Sequence, residues 1–184
     1  MASRAFLIKQ KVSDVDYILS LTANRILQYR SWCRFLHIIS RMGDGLFWYA
    51  LIVSLPLVRP DGGLLYATGM TLTGLVNVAV YKRLKARFAR PRPYALYPSI
   101  RRGTSVLDEY SFPSGHTLHA VSFTVLLVAF IPLSALLLVP FALLTAASRV
   151  MLGVHFTSDV LVGALLGLLH GSLAIMIFNS LQII

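Results

Sequence analysis

The chain has 184 residues, 57% of them hydrophobic and 13% charged, with a mean hydropathy of +0.72. Soluble domains run at about 45–50% apolar and about 25% charged residues, so too little polar surface is present to cover a water-soluble globule, and disorder, coiled coils and disulfide scaffolds are excluded as well. Seventeen Lys and Arg against seven Asp and Glu leave a net charge of +10, which in an apolar chain points to anionic lipid or a phosphorylated substrate.

No zinc-finger spacing, helix-turn-helix pattern or RNA-binding aromatic motif accompanies the charge, so nucleic acid is not an expected partner. Residues 1–11 lack the long apolar core of a signal peptide. From about 14 to 40, Ile18, Leu19, Ile26, Leu27, Trp32 and Phe35 alternate with Arg25, Arg30 and Arg34. Three arginines make a crossing costly, and an amphipathic helix lying in the membrane interface is expected within an N-terminal segment 1–44. Apolar runs then predict spans at 46–58, 63–81, 114–131, 135–152 and 160–177. The expected fold is all-α: one domain over 1–184, a polytopic membrane helix bundle of about five spans plus the interfacial helix, or six if that helix crosses. In the last span, Asp159, Gly163, Gly167 and Gly171 recur at four-residue steps, a small-residue stripe along which another helix can approach closely.

Three blocks carry chemistry, and all fall at span ends facing one side of the membrane, within residues 82–159. Lys85, Arg92 and Arg149 are cations suited to clamping a phosphate; an isolated basic residue here would ordinarily contact solvent or headgroups. Pro113-Ser114-Gly115-His116 reads as a helix start, with free backbone N–H groups and a glycine that lets an anion approach. His155 and Asp159 are four residues apart, so on a helix they share a face and can hydrogen-bond. A carboxylate on one ring nitrogen fixes the tautomer and leaves the other nitrogen nucleophilic. His119 is expected as a packed span residue, and His37 and His170 receive no role. Asp108 and Glu109 are expected to shape their loop or to pair with Arg101 and Arg102, and Tyr94 and Tyr97 to anchor at the interface.

Together these blocks resemble the signature of the type 2 phosphatidic acid phosphatase (PAP2) superfamily: K-x6-R-P, then P-S-G-H, then S-R-x5-H-x3-D. The matching residues are Lys85, Arg92 and Pro93; Pro113 to His116; and Ser148, Arg149, His155 and Asp159, eleven specified letters with no departure. The resemblance implies a membrane lipid-phosphate phosphatase without a metal or other cofactor. His155 would attack phosphorus to form a phosphohistidine, Asp159 would orient it, and His116 would protonate the leaving oxygen and then activate water. Lys85, Arg92, Ser114, Gly115 and Arg149 would hold the phosphate. Phosphatidate, phosphatidylglycerophosphate and polyprenyl diphosphates all suit such a site, and the residues do not choose among them. A lipid-to-lipid phosphotransferase and a non-catalytic headgroup-binding protein are the alternatives.

An integral, multi-pass protein of a bacterial-type inner or plasma membrane is expected. With five spans, seven basic residues up to Arg41, eight from Lys82 to Arg102, and Arg149 share the side of the blocks, and Arg59 alone lies opposite. The positive-inside rule then favours a cytoplasmic site. Six spans would match the family members whose site is extracytoplasmic.

Overall fold

The computed structural model describes residues 4–181, and among these the secondary structure is entirely helical. Two N-terminal helices, α1 (Arg4–Asn24) and α2 (Arg30–Met42), precede the apolar segments that form the bundle. Those segments are α3 (Leu46–Val58), α4 (Gly63–Phe88), α6 (Gly115–Phe130), α7 (Ala135–Met151) and α8 (Thr157–Ser180), with the single turn α5 (Pro93–Leu96) in the long polar loop. Short connections at 59–62, 131–134 and 152–156 make neighbouring helices antiparallel. The C-terminal ends of α4 and α7 therefore meet the N-terminal ends of α6 and α8 at one end of the bundle.

The core lies between α3, α4, α6 and α7, where Trp48, Leu55, Met70, Phe123, Leu126, Phe130, Leu138 and Phe141 are buried against one another. The glycine stripe of α8 packs on α6. A Cβ at Gly163 would stand 2.6 Å from the Ser114 carbonyl oxygen, and one at Gly167 would stand 2.7 Å from that of Leu118. Without side chains in the way, the two backbones come close enough to fix the height of Ser114 against Asp159, whose carbonyl accepts from the Ser114 N–H at 3.0 Å.

The chain is thus an all-α membrane helix bundle, but its helices depart from the expected spans. Among the described residues, three stretches are long and apolar enough to cross a membrane unaided: Gly63–Leu96, Pro132–Met151 and Thr157–Ser180. α2 and α3 qualify together as one span bent by 48°. α6 has 16 residues, about 24 Å at 1.5 Å per residue. It is the innermost helix, sheathed by its neighbours, so its own length need not match the bilayer.

Two boundaries are corrected. The interfacial helix expected over 14–40 is broken by a 3-10 turn at Arg25–Gln28 and an extended Tyr29. Asn24 is buried and its side chain serves distant backbone, donating to the carbonyls of Arg101 and Met151 and accepting from the Arg101 N–H, each at 2.8 or 2.9 Å. That pins the chain to the end of α7, and α2 follows with Leu36 and Ser40 buried and Arg30 and Arg34 exposed. Likewise the second span does not stop at Tyr81: α4 runs to Phe88, ending at Ala89 in the left-handed region (φ 44°). Basic side chains in the last turn suit the negative end of the helix dipole, which offsets their cost near a membrane.

Candidate active site

Each predicted phosphate-binding cation is buried at the same end of the bundle. Lys85, in the last turn of α4, is 6% exposed, and Arg92 and Arg149 are 2% exposed each. Arg92 donates to the Val154 carbonyl at 2.7 Å, and Arg149, near the end of α7, donates to the Ser40 hydroxyl of α2. The Arg149 Nε finds no hydrogen-bond partner among the described residues. A buried guanidinium N–H without an acceptor is costly unless a ligand supplies one.

Asp108 corrects the expectation for its loop. It does not pair with Arg101 or Arg102; its carboxylate bridges Lys85 Nζ and Arg92 Nη2, 2.7 Å from each. Its backbone carbonyl accepts from Arg92 as well. One carboxylate thus sits on two of the three cations.

His116 and His155 line the same cavity as this cluster. His155 is not on a helix: it precedes Phe156, the residue before the first turn of α8. Gly153 makes the bend that leads to it, with φ of +71° and no room for a Cβ, which would meet the Arg101 carbonyl at 2.5 Å. His155 Nε2 lies 3.4 Å from Arg92 Nη1, on the side of the cation cluster, and Nδ1 lies 3.7 Å from Asp159 Oδ2. The latter exceeds hydrogen-bond reach, and Nδ1 has no partner among the described residues. Burial, and after it the charges of Arg149, Arg92 and Lys85, push the His155 imidazole well below its ordinary range. That favours the neutral imidazole.

Asp159 is occupied elsewhere. Its Oδ2 accepts from the Phe156 N–H at 2.8 Å, capping α8, and its Oδ1 takes Arg90 at 2.6 Å. Arg90 also reaches Asp16 of α1 at 2.8 Å and lies 4.0 Å over the Phe156 ring. Asp16 in turn accepts from the Ser158 N–H at 2.9 Å. Sequence reasoning saw Arg90 as one basic residue among eight and gave Asp16 no role; the contacts span 69 and 74 positions, and no local pattern announces them.

The Ser114 side chain turns inward, 3.0 Å from the Thr117 hydroxyl at the start of α6, so what it presents to the cluster is the helix terminus. Gly115 lines the cavity below. That cavity has a volume of about 380 Å³. Lys85, Arg92, Arg149, His116 and His155 close its polar end, and Trp48, Ile52 and Val53 of α3 face Met70, Leu75 and Val78 of α4 along its apolar part. His119 also lines it, with Nδ1–H donating to the Gly115 carbonyl at 2.9 Å. His170 instead pairs with the buried Asn77 at 2.7 Å. Tyr97 packs against Tyr17 of α1 at 4.3 Å between ring centroids, and the Tyr94 N–H donates to the Gly153 carbonyl at 3.3 Å, so both hold the loop to the bundle.

The family model of the PAP2 superfamily matches residues 62–182, the stretch that supplies all three motif blocks. The chain belongs to the PAP2 superfamily. Among solved structures, Aquifex aeolicus LpxE superposes with a TM-score of 0.75 at 25% identity, covering 86% of this chain and 93% of that one. The first transmembrane PAP2 type phosphatidylglycerolphosphate phosphatase from Bacillus subtilis gives 0.76 at 27% identity, covering 92% and 87%. By sequence, the decaprenylphosphoryl-5-phosphoribose phosphatase of Mycobacterium tuberculosis is 34% identical over 97 residues, 52% of this chain. The match spans 51% of that relative's length. These membrane PAP2 neighbours and the apolar helices make the protein an integral membrane protein.

Proposed function

We propose that the protein hydrolyses the phosphate of an amphiphilic lipid through a phosphohistidine on His155. The observation that carries this reading is the single cavity in which three buried cations and two histidines meet an apolar wall of α3 and α4. The phosphate fits the cations, and the lipid chain leaves along the apolar wall toward the bilayer. Two of the relatives are named for phosphatases of lipid-linked phosphates, decaprenylphosphoryl-5-phosphoribose and phosphatidylglycerolphosphate, which supports a phosphomonoester of this kind.

In the first step His155 Nε2 bonds to phosphorus as the bond to the lipid oxygen breaks. The electron pair leaves with that oxygen, which His116 protonates. Asp159 faces the Nδ1 side of His155 and steadies the charge that forms there; contacts of this kind tighten when substrate binds. In the second step His116 takes a proton from water, the water oxygen bonds to phosphorus, and the P–N bond pair returns to His155. Lys85, Arg92 and Arg149, with the backbone N–H groups of Gly115 and His116, stabilise the equatorial oxygens in both steps. The three side chains supply the positive charge without a metal.

Asp16, Asn24 and Ser40 all bind residues at the site's end of the bundle. That supports an N-terminal region on the same side as the site, and with the basic residues counted above, a cytoplasmic site.

The test is phosphate release by the detergent-solubilised protein from a panel of phosphatidate, phosphatidylglycerophosphate and polyprenyl phosphates. At least one is turned over, and His155→Ala abolishes release while the protein still inserts and folds. Near-wild-type release by His155→Ala overturns the mechanism.

A further inference from the structure

His116 has a partner that no motif announces. Asp44 stands in the turn between α2 and α3, and its Oδ1 lies 2.5 Å from His116 Nε2, across 72 positions of sequence. Its Oδ2 takes Arg41 at 2.6 Å. The carboxylate is 18% and the imidazole 11% exposed, dry enough for a charge-assisted hydrogen bond to count for more than it would at the surface. The turn is shaped to deliver it. Gly45 has φ of +120°, and a Cβ at Gly43 would stand 3.2 Å from Thr145 and 3.4 Å from the His116 ring.

An acid beside a phosphate pocket normally opposes the anion. Asp108 does so, lying directly on Lys85 and Arg92. Asp44 differs, because both of its oxygens are engaged by His116 and Arg41. An ionised carboxylate only accepts, so the bond makes Nε2 the protonated nitrogen and leaves Nδ1 for substrate.

We propose that Asp44 is a positioning residue for His116: it fixes this tautomer and stabilises the imidazolium whose Nδ1 proton goes to the leaving oxygen. The assignment rests on the reading of His116 given above. When the bond from phosphorus to the lipid oxygen breaks, the oxygen keeps the electron pair and takes the Nδ1 proton. His116 becomes neutral and retains its Nε2–H, and Asp44 never takes a proton. In the return step Nδ1 accepts a proton from water and the same imidazolium re-forms against Asp44.

The test compares two phosphomonoesters with substrate in excess, before and in the steady state: an alkyl lipid phosphate, whose leaving oxygen needs a proton, and a nitrophenyl phosphate bearing an alkyl tail, whose leaving oxygen does not. The nitrophenolate burst reports the first step alone, and its amplitude counts folded active sites, so a partly misassembled variant is still read correctly. Asp44→Asn keeps the shape and loses the charge. It is expected to slow the alkyl substrate about 100-fold, with KM within about threefold, and the burst rate on the aryl substrate by less than about fivefold. Asp44→Glu restores much of the alkyl rate. Equal losses on both substrates, or no loss on either, overturn the proposal. His116→Ala serves as the reference. If it shows the alkyl-selective defect and Asp44→Asn does not, this assignment fails alone; if His116→Ala shows no selectivity, the reading of His116 fails first.

Discussion

Lys85 and Arg92 hold the Asp108 carboxylate between them, so on the proposed reading a phosphate has to displace it. Each such pair at a half-exposed carboxylate is worth about 0.2–1 kcal/mol. Asp108→Asn removes the competing charge while its backbone carbonyl still binds Arg92. The variant is expected to bind orthovanadate about two- to tenfold more tightly, read as the inhibition constant of phosphate release. Weaker inhibition would mean that Asp108 helps to hold the anion. Arg90 makes the opposite case. Buried Asp159 relies on it for one oxygen, and Arg90→Ala leaves that carboxylate and Asp16 short of a partner. The loss is expected to cost about 1.5–3 kcal/mol of stability, seen in detergent as a lower thermal midpoint, together with reduced turnover. Arg90→Lys does not rescue it, since one ammonium cannot fork between Asp16 and Asp159.

Between helices, the close approach of α6 and α8 is what sets Ser114, at the start of the helix that carries His116, against Asp159. Gly163→Val forces branched methyls against the Ser114 carbonyl, where even a Cβ stands at 2.6 Å. Overpacking of this kind costs about 1–3 kcal/mol, and because the obstruction lies at the helix start, turnover is expected to fall further than stability does. Leu165→Val, on the same helix but 64% exposed toward lipid, is the control and is expected to change neither. Gly153→Ala belongs with these, since its left-handed φ and the Arg101 carbonyl both oppose a side chain in the bend before His155. If Gly163→Val retained full phosphate release, the α6–α8 contact would not be what positions the site.

Taken as a whole, the bundle places its positive charge at one end and its lipid-facing surface around the middle, and two measurements address that arrangement. Phosphate release is expected to survive EDTA and to be inhibited by vanadate, whose trigonal-bipyramidal form resembles the phosphoryl transition state. Activity lost in EDTA and regained with Mg²⁺ or Zn²⁺ would refute a cation cluster that works unaided. For orientation, a single cysteine at the exposed Ser105, in a Cys33→Ser background, is expected to resist a membrane-impermeant maleimide in intact cells. Labelling before lysis would place the site outside.

Much of this was legible in the sequence because it is local. Apolar runs marked α3, α6, α7 and α8 to within a few residues, since a membrane helix satisfies its own backbone and needs only its own side chains to be apolar. The four-residue glycine spacing announced a close helix contact for the same reason, although not which helix would fill it. The motif blocks singled out Lys85, Arg92, His116, Arg149 and His155, and the fold brings all five to one cavity. Tertiary structure alone decided the partners of the charges. With seventeen basic and seven acidic side chains, spacing cannot say that Asp44 goes to His116, Asp108 to Lys85 and Arg92, or Arg90 to both Asp16 and Asp159. The His155–Asp159 spacing misled for a related reason: it assumes a continuous helix, whereas α8 begins after His155, and the Phe156 N–H just before it and Arg90 claim the Asp159 carboxylate. Charge pairing is set by which helix ends meet in space, and that depends on packing across the whole bundle and not on any stretch of it.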